Sequence, residues 1–314
     1  MQSIKSTVEN EAGKLVSPAT LSSARKNLID EADTGTNTAS GPYQHEYATK
    51  IDQEMGKIVF TSKVKTDRLN AAIVLGNVAK SVSRTNNAVV FAGTAKKMLT
   101  DPDWTIVYWG MKVARYALAD EIQAGAQVPL TTTDVEVAVK ANPNSAEVIE
   151  EAYQVLTLEP IPRGNQNFGT LMLQTLPTLL NIIDWRTSLY KTAVPVVPTA
   201  EIVPATLLPV DVFSALTTNK QLESRTLKSL SDLANALLTA WSNLAPQPDA
   251  SVVAAAQGIG NALSAFGTKL NDQSLQAAGQ AVWKLNNSAP QTTVAKDQAD
   301  LTQALTNLGV PAPQ

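Results

Sequence analysis

Residues 219–245 read NKQLESRTLKSLSDLANALLTAWSNLA. Leu227, Leu230, Ala234, Leu237, Trp241 and Leu244 recur at steps of three and four, which lines them along one stripe of an α-helix. Pro246 and Pro248 stop that helix, because proline lacks the N–H that a helix interior needs. The alternation then resumes three times. Val252, Ala256, Ile259, Leu263, Phe266 and Leu270 follow Asp249, a candidate N-cap, and Leu275, Ala278, Val282 and Leu285 make a shorter stripe. Val294, Gln298, Leu301, Leu305 and Leu308 form the last, closed by Gly309 at a C-cap with Pro311 beyond. Four amphipathic helices with short connections favour antiparallel neighbours, so residues 211–314 are expected to form a bundle of about four helices.

Upstream lies AVPVVPTAEIVPATLLPV, residues 193–210, with Glu201 as its one charge. Each proline removes a backbone donor and pushes the preceding residue toward extended geometry, so the stretch is expected to run as an open arm or linker. Its apolar side chains, among Val194, Pro195, Val197, Pro198, Ile202, Pro204, Leu207, Leu208 and Pro209, need shelter from water. A flexible linker is ordinarily polar. The arm is therefore expected to dock in a groove, either of its own chain or of a sister molecule, and it is the candidate assembly contact.

Residues 1–192 read as a mostly helical N-terminal domain with room for one small strand element. DTGTNTASGPYQ, 33–44, has the composition of a flexible loop, and helical candidates follow at about 46–57, 66–84 and 87–99. Asp103 caps WTIVYWGMKVARYALADEIQAG, a helix with bulky residues nearly all round and hence expected in the interior. TTTDVEVAVK is ambiguous, since Val135, Val137 and Val139 alternate as in a strand while Asp134 can cap a helix. Asn144 and Glu147 have the spacing of a capping box.

Composition excludes more than it identifies. The 314 residues hold no cysteine and one histidine, which removes thiolate metal sites, disulfides, cysteine nucleophiles and a His-rich metal site within one chain. His45 lies between two tyrosines with no nucleophile motif to serve, and is expected on the surface. SARK (23–26) and TAKK (94–97) match the Ser/Thr-x-x-Lys spacing by chance, and the glycines of QGIGNALSAFG follow no strand and fail as a dinucleotide loop. Glu147, Glu150 and Glu151, and Asp101 with Asp103, are the remaining acid-base candidates, set against a solvated helix face and a turn with its cap. Residues 164–183 and 250–268 are uncharged but carry too many amides, alanines and glycines for membrane spans, and MQSIKSTVENEAGKLVSP lacks the apolar block of a signal peptide.

Charge is polarised along the chain. From 63 to 115, Lys63, Lys65, Arg68, Lys80, Arg84, Lys96, Lys97, Lys112 and Arg115 face only Asp67, Asp101 and Asp103. From 116 to 160, eight acids face only Lys140. The basic segment is a candidate contact either for a nucleic-acid backbone or for the acidic part of a neighbouring copy.

With a net charge of -3 and 17% charged residues, like copies can approach at little Coulomb cost. In composition the chain resembles structural subunits of virus particles, where cysteine-free, weakly charged chains rich in Ala, Thr, Asn and Gln are common. That resemblance implies a location in a virion or the cytoplasm. The expectation is a mainly α, non-enzymatic subunit, without catalytic, metal or cofactor residues or a small-molecule substrate, that assembles with copies of itself. The alternatives are a nucleic-acid-binding coat or nucleocapsid protein using 63–115, a helical pore-forming protein, and a carboxylate hydrolase.

Overall fold

A computed structural model describes residues 2–17, 19–38, 41–125, 129–162, 164–191, 198–201, 216, 219–243, 250–286 and 288–310. The chain is mainly helical, and among the described residues there is no strand. It divides into two compact units, Met1–Ala141 and Asn142–Gln314. The division falls earlier than the Pro-rich stretch suggested, because residues 146–191 pack with the C-terminal helices instead of with the first 141.

Unit 1 holds α1 (Gln2–Lys14), α2 (Leu21–Thr38), α3 (Gly41–Thr61), α4 (Lys65–Ser83), α5 (Ala92–Met98), α6 (Trp104–Ala124) and α7 (Thr132–Ala141), with a 3-10 turn at Ala88–Phe91. Its centre is α4, against which α2, α3 and α6 all pack. Ala71, Ala72, Val74, Leu75, Val78, Ala79 and Val82 are buried on several sides of α4, as a helix enclosed by others requires. Asp103 caps α6 as expected, its carboxylate accepting from Thr105 N at 3.0 Å. Gly125 ends α6 in the left-handed conformation, φ 63°.

Two local expectations are corrected in and beside this unit, and one open reading is decided. Residues 33–38 finish α2 and 41–44 begin α3, so these parts of the stretch read as a loop at 33–44 are helical, while residues 39 and 40 lie outside the described ones. Pro42 sits in the first turn of α3, where its missing N–H is no loss. TTTDVEVAVK is helix α7, with Val135, Ala138 and Val139 buried at helical spacing and Val137 turned outward, so the valine alternation was not a strand signal. In the next helix the cap is Ser145, one residue beyond Asn144, and its hydroxyl accepts from Val148 N.

Unit 2 holds α8 (Ala146–Leu156), α9 (Phe168–Lys191), α10 (Lys220–Asn243), α11 (Ala250–Leu270), α12 (Gln273–Lys284) and α13 (Gln291–Asn307), with a 3-10 turn at Pro198–Glu201. The four apolar stripes are α10 to α13, and Leu230, Leu237, Ile259, Leu263, Leu275, Val282, Val294 and Leu301 are fully buried. Leu244 and Asp249 lie outside the described residues. Asp272 caps α12, accepting from Leu275 N at 2.7 Å, and Gly309 at φ 74° turns the chain out of α13. The closest helix contact is α11 on α12. A Cβ at Gly260 would stand 2.7 Å from Trp283 N, and one at Gly267 or Gly279 still closer to Gln276 N or Ser264 N, so these glycines together allow the approach of the two backbones.

Candidate interaction surfaces

The Pro-rich arm resolves into something different from an open segment where it is described. Pro198–Glu201 forms a single 3-10 turn packed on α8 and α11, with Ala200 and Glu201 fully buried. A buried carboxylate needs partners, and Glu201 finds them on two helices. Arg186 of α9 donates Nε–H to Oε1 at 2.5 Å, and Tyr153 of α8 donates its hydroxyl to Oε2 at 2.6 Å. Both members of the ion pair are fully buried. Arg186 also donates Nη1–H to Pro143 O at 3.2 Å and lies over the Tyr190 ring. Burial, then the Glu201 charge, pushes the Tyr153 hydroxyl well above its ordinary range, so it stays protonated as donor. The extended conformation expected for 193–210 is thus corrected over 198–201, which shelters in its own chain. Val194, Pro195, Val197, Ile202, Pro204, Leu207, Leu208, Pro209 and the Pro198 side chain lie outside the described residues.

Several cations of the basic segment meet acids inside unit 1, among them Lys65 with Asp103 at 3.1 Å, Arg68 with Asp101, and Lys96 with Asp134 at 3.2 Å. Burial opposes ionisation of Asp103, but hydrogen bonds from Thr105 together with Lys65 outweigh it and hold this carboxyl below its usual value. Asp101 and Asp103 are therefore a turn and its cap, tied to two bases. Lys63, Lys80, Arg84 and Lys97 are exposed, while Lys112 and Arg115 are half-buried over aromatic rings. Lys112 Nζ stands 5.0 Å from the Tyr108 ring centroid and 6.0 Å from that of Trp109.

One surface was not foreseen. Phe60, Val64 and Trp104 are 39%, 52% and 46% exposed, although the composition of α6 suggested that its tryptophans are interior. Phe60 and Val64 lie either side of the turn from α3 to α4, and Trp104 opens α6. The turn after α3 is fastened to the start of α6 by the Lys65–Asp103 and Arg68–Asp101 pairs, and Arg68 Nε also donates to Val59 O at 2.7 Å. Lys97 Nζ lies 5.8 Å from the Phe60 centroid. Lys57, Lys63, Lys65 and Lys97 are exposed around these apolar side chains. Trp104 at the N1 position, ahead of the buried Ile106–Val107 step, was the available signal: a helix's first turn often projects past its packing partner.

Of the acid-base candidates, Glu147 is exposed, Glu151 buried and Glu150 intermediate, with its carboxyl raised by burial and by the other two. His45 is exposed. Among the described residues no group of three or more His, Cys, Asp or Glu is placed to hold a metal ion, and no helix is long and apolar enough to cross a membrane. A cleft of about 460 Å³ lies between α12 and α13, beside Lys284, Asn286, Pro290 and Asp297. No protein-family model matches this chain, and no curated protein is significantly similar to it.

Proposed function

We propose that this chain is a non-enzymatic structural subunit whose copies associate into a larger assembly, such as a virion, and that unit 2 includes an antiparallel helical bundle. The observation that supports it is the exposure of Phe60, Val64 and Trp104 on two segments of unit 1 that the Lys65–Asp103 and Arg68–Asp101 pairs tie together. Scattered exposed apolar side chains are normal, but three large ones together, ringed by lysines, mark an interaction site. The weak net charge of -3 lets copies of the chain approach. The lysine rim also complements surface acids elsewhere on the same chain, Glu147 and Glu150 of α8. A contact between two different patches of one subunit is heterologous and repeats from copy to copy, which generates rings or filaments.

Sedimentation of the full chain across a concentration series tests this. Concentration-dependent oligomers are expected, and Phe60→Glu with Trp104→Glu returns the monomer without changing the helical circular dichroism. A wild-type chain that stays monomeric at high concentration overturns the proposal, as does assembly indifferent to the double substitution.

A further inference from the structure

The cleft between α12 and α13 belongs to unit 2 and shares no residue with the apolar patch on which self-association rests. One of its lining residues breaks the sequence pattern. Val294, Asp297, Leu301 and Ala304 follow one another at steps of three and four and are all buried, so an acid occupies a place in the core stripe of α13 where an apolar side chain is expected. Asp297 is 7% exposed, and no described residue donates a hydrogen bond to its carboxylate. Burial, against the pull of Lys296 and with the push of Asp300, raises this carboxyl above its ordinary value. Those two neighbours on α13 are paired with each other at 2.8 Å. From α12 comes Lys284, exposed in the last turn, which lines the same cleft and does not pair with Asp297. Two opposite charges thus share one cleft without meeting. Small side chains, Ala281 and Ala289, help to leave its volume of about 460 Å³, which is within the range of small-molecule sites. The segment that joins the helices is held in place: Leu285 O accepts from Gln257 of α11, Asn286 O from Ala289 N at 2.8 Å, and Asn286 Oδ1 from Ser288 N at 2.9 Å. The Ser288 and Thr293 hydroxyls have no partner among the described residues, whereas Thr302 and Thr306 of the same helix α13 bond back to the carbonyl four residues earlier.

We infer that this cleft binds a small zwitterion of the amino-acid class, its ammonium on Asp297 and its carboxylate on Lys284 with the Ser288 and Thr293 hydroxyls. A carboxylate held out of water without a donor costs stability, and a ligand ammonium supplies the charge-assisted hydrogen bond that the fold withholds. A simple amine meets Asp297 but is repelled by Lys284. A simple carboxylate meets Lys284 and is repelled by Asp297. A molecule that carries both charges satisfies both side chains and brings no net charge into the cleft.

The test is ligand-observed NMR titration of the full chain at pH 7 with glycine, β-alanine, 4-aminobutyrate, 6-aminohexanoate and L-leucine, and with butylamine and butyrate as single-charge controls. At least one zwitterion is expected to bind at least tenfold tighter than either control, and the best length in the series reads the spacing of the two charges. Asp297→Asn, which keeps the shape of the side chain, lowers that affinity at least tenfold, and Lys284→Met brings it down to the level of butylamine. The Asp297→Asn chain should also melt no lower than the wild type without ligand, because no internal donor is lost. The inference is overturned by no zwitterion binding up to about 10 mM, by butylamine or butyrate binding as tightly as the best zwitterion, or by an affinity indifferent to Asp297→Asn. A marked drop in the melting temperature of ligand-free Asp297→Asn overturns it too, since the fold itself would then be using the charge.

Discussion

Glu201 shows how one residue can reverse the reading of a whole segment. In the sequence it is a lone charge in an apolar run, and nothing local says whether it faces water or an arginine fifteen residues upstream. Removing one partner of a buried pair leaves the other charge stranded, so Glu201→Ala should destabilise unit 2 by about 3–5 kcal/mol. Replacing both, Arg186→Met with Glu201→Leu, should cost much less than the two single changes together, and urea melts of the double-mutant cycle check it. Asp120 offers a second test at this scale. Burial raises its carboxyl to about 7, with the Ala88 N–H pulling the other way. The folded chain therefore binds this proton more tightly than the unfolded one. Its contribution to stability is complete below about pH 4, falls by up to about 1.4 kcal/mol per pH unit, and is lost above pH 7. Asp120→Asn keeps an acceptor for Ala88 and should abolish that decline, which denaturant titrations of both proteins at pH 4 to 8 would reveal.

At the scale of the element, periodicity was most legible where helices are amphipathic and least where composition is misleading. The stripes of α10 to α13 were readable because each buries one face. Helices α1 and α2 were not recognised, although Ile4, Val8 and Ala12, and Ala24, Leu28 and Ala32, are buried at helical steps. Their stripes are narrow, and the Thr and Gly run after Asp33 resembles a loop. The α2–α3 contact is instead pinned by tyrosines that no pattern announces: Tyr47 donates to Leu28 O at 2.6 Å, and Tyr43 to Glu31. Glycine gives the sharper prediction. Gly260→Ala forces α11 and α12 apart and should cost about 1–3 kcal/mol. Gly13→Ala on α1, where nothing stands within 4 Å of the added carbon, should be neutral or stabilising by up to about 1 kcal/mol. Thermal melts of the two variants decide between these signs.

For the whole molecule, charge counted along the sequence proved a poor guide to charge on the surface. Lys96 and Asp134 belong to oppositely charged halves of the sequence yet pair within one unit, and two more bases are used at the start of α6. The exposed Phe60, Val64 and Trp104 patch was illegible for a related reason: it joins residues from two separate helix ends, which only tertiary packing brings together. The division at Ala141 was hidden because prolines mark breaks in helix, and the break in contacts lies elsewhere. Expressed separately, residues 1–141 and 142–314 should each give helical circular dichroism and a cooperative melt; a fragment that is unfolded would show that its unit borrows stability from the other.

The Arg186–Glu201 pair also bears on how the chain is made. A ribosome delivers Arg186 first, and its carboxylate partner follows fifteen residues later, about one to three seconds at ordinary elongation rates. A guanidinium without its carboxylate keeps its water, so the end of α9 closes over Arg186 only once the turn at Pro198–Glu201 is seated against it.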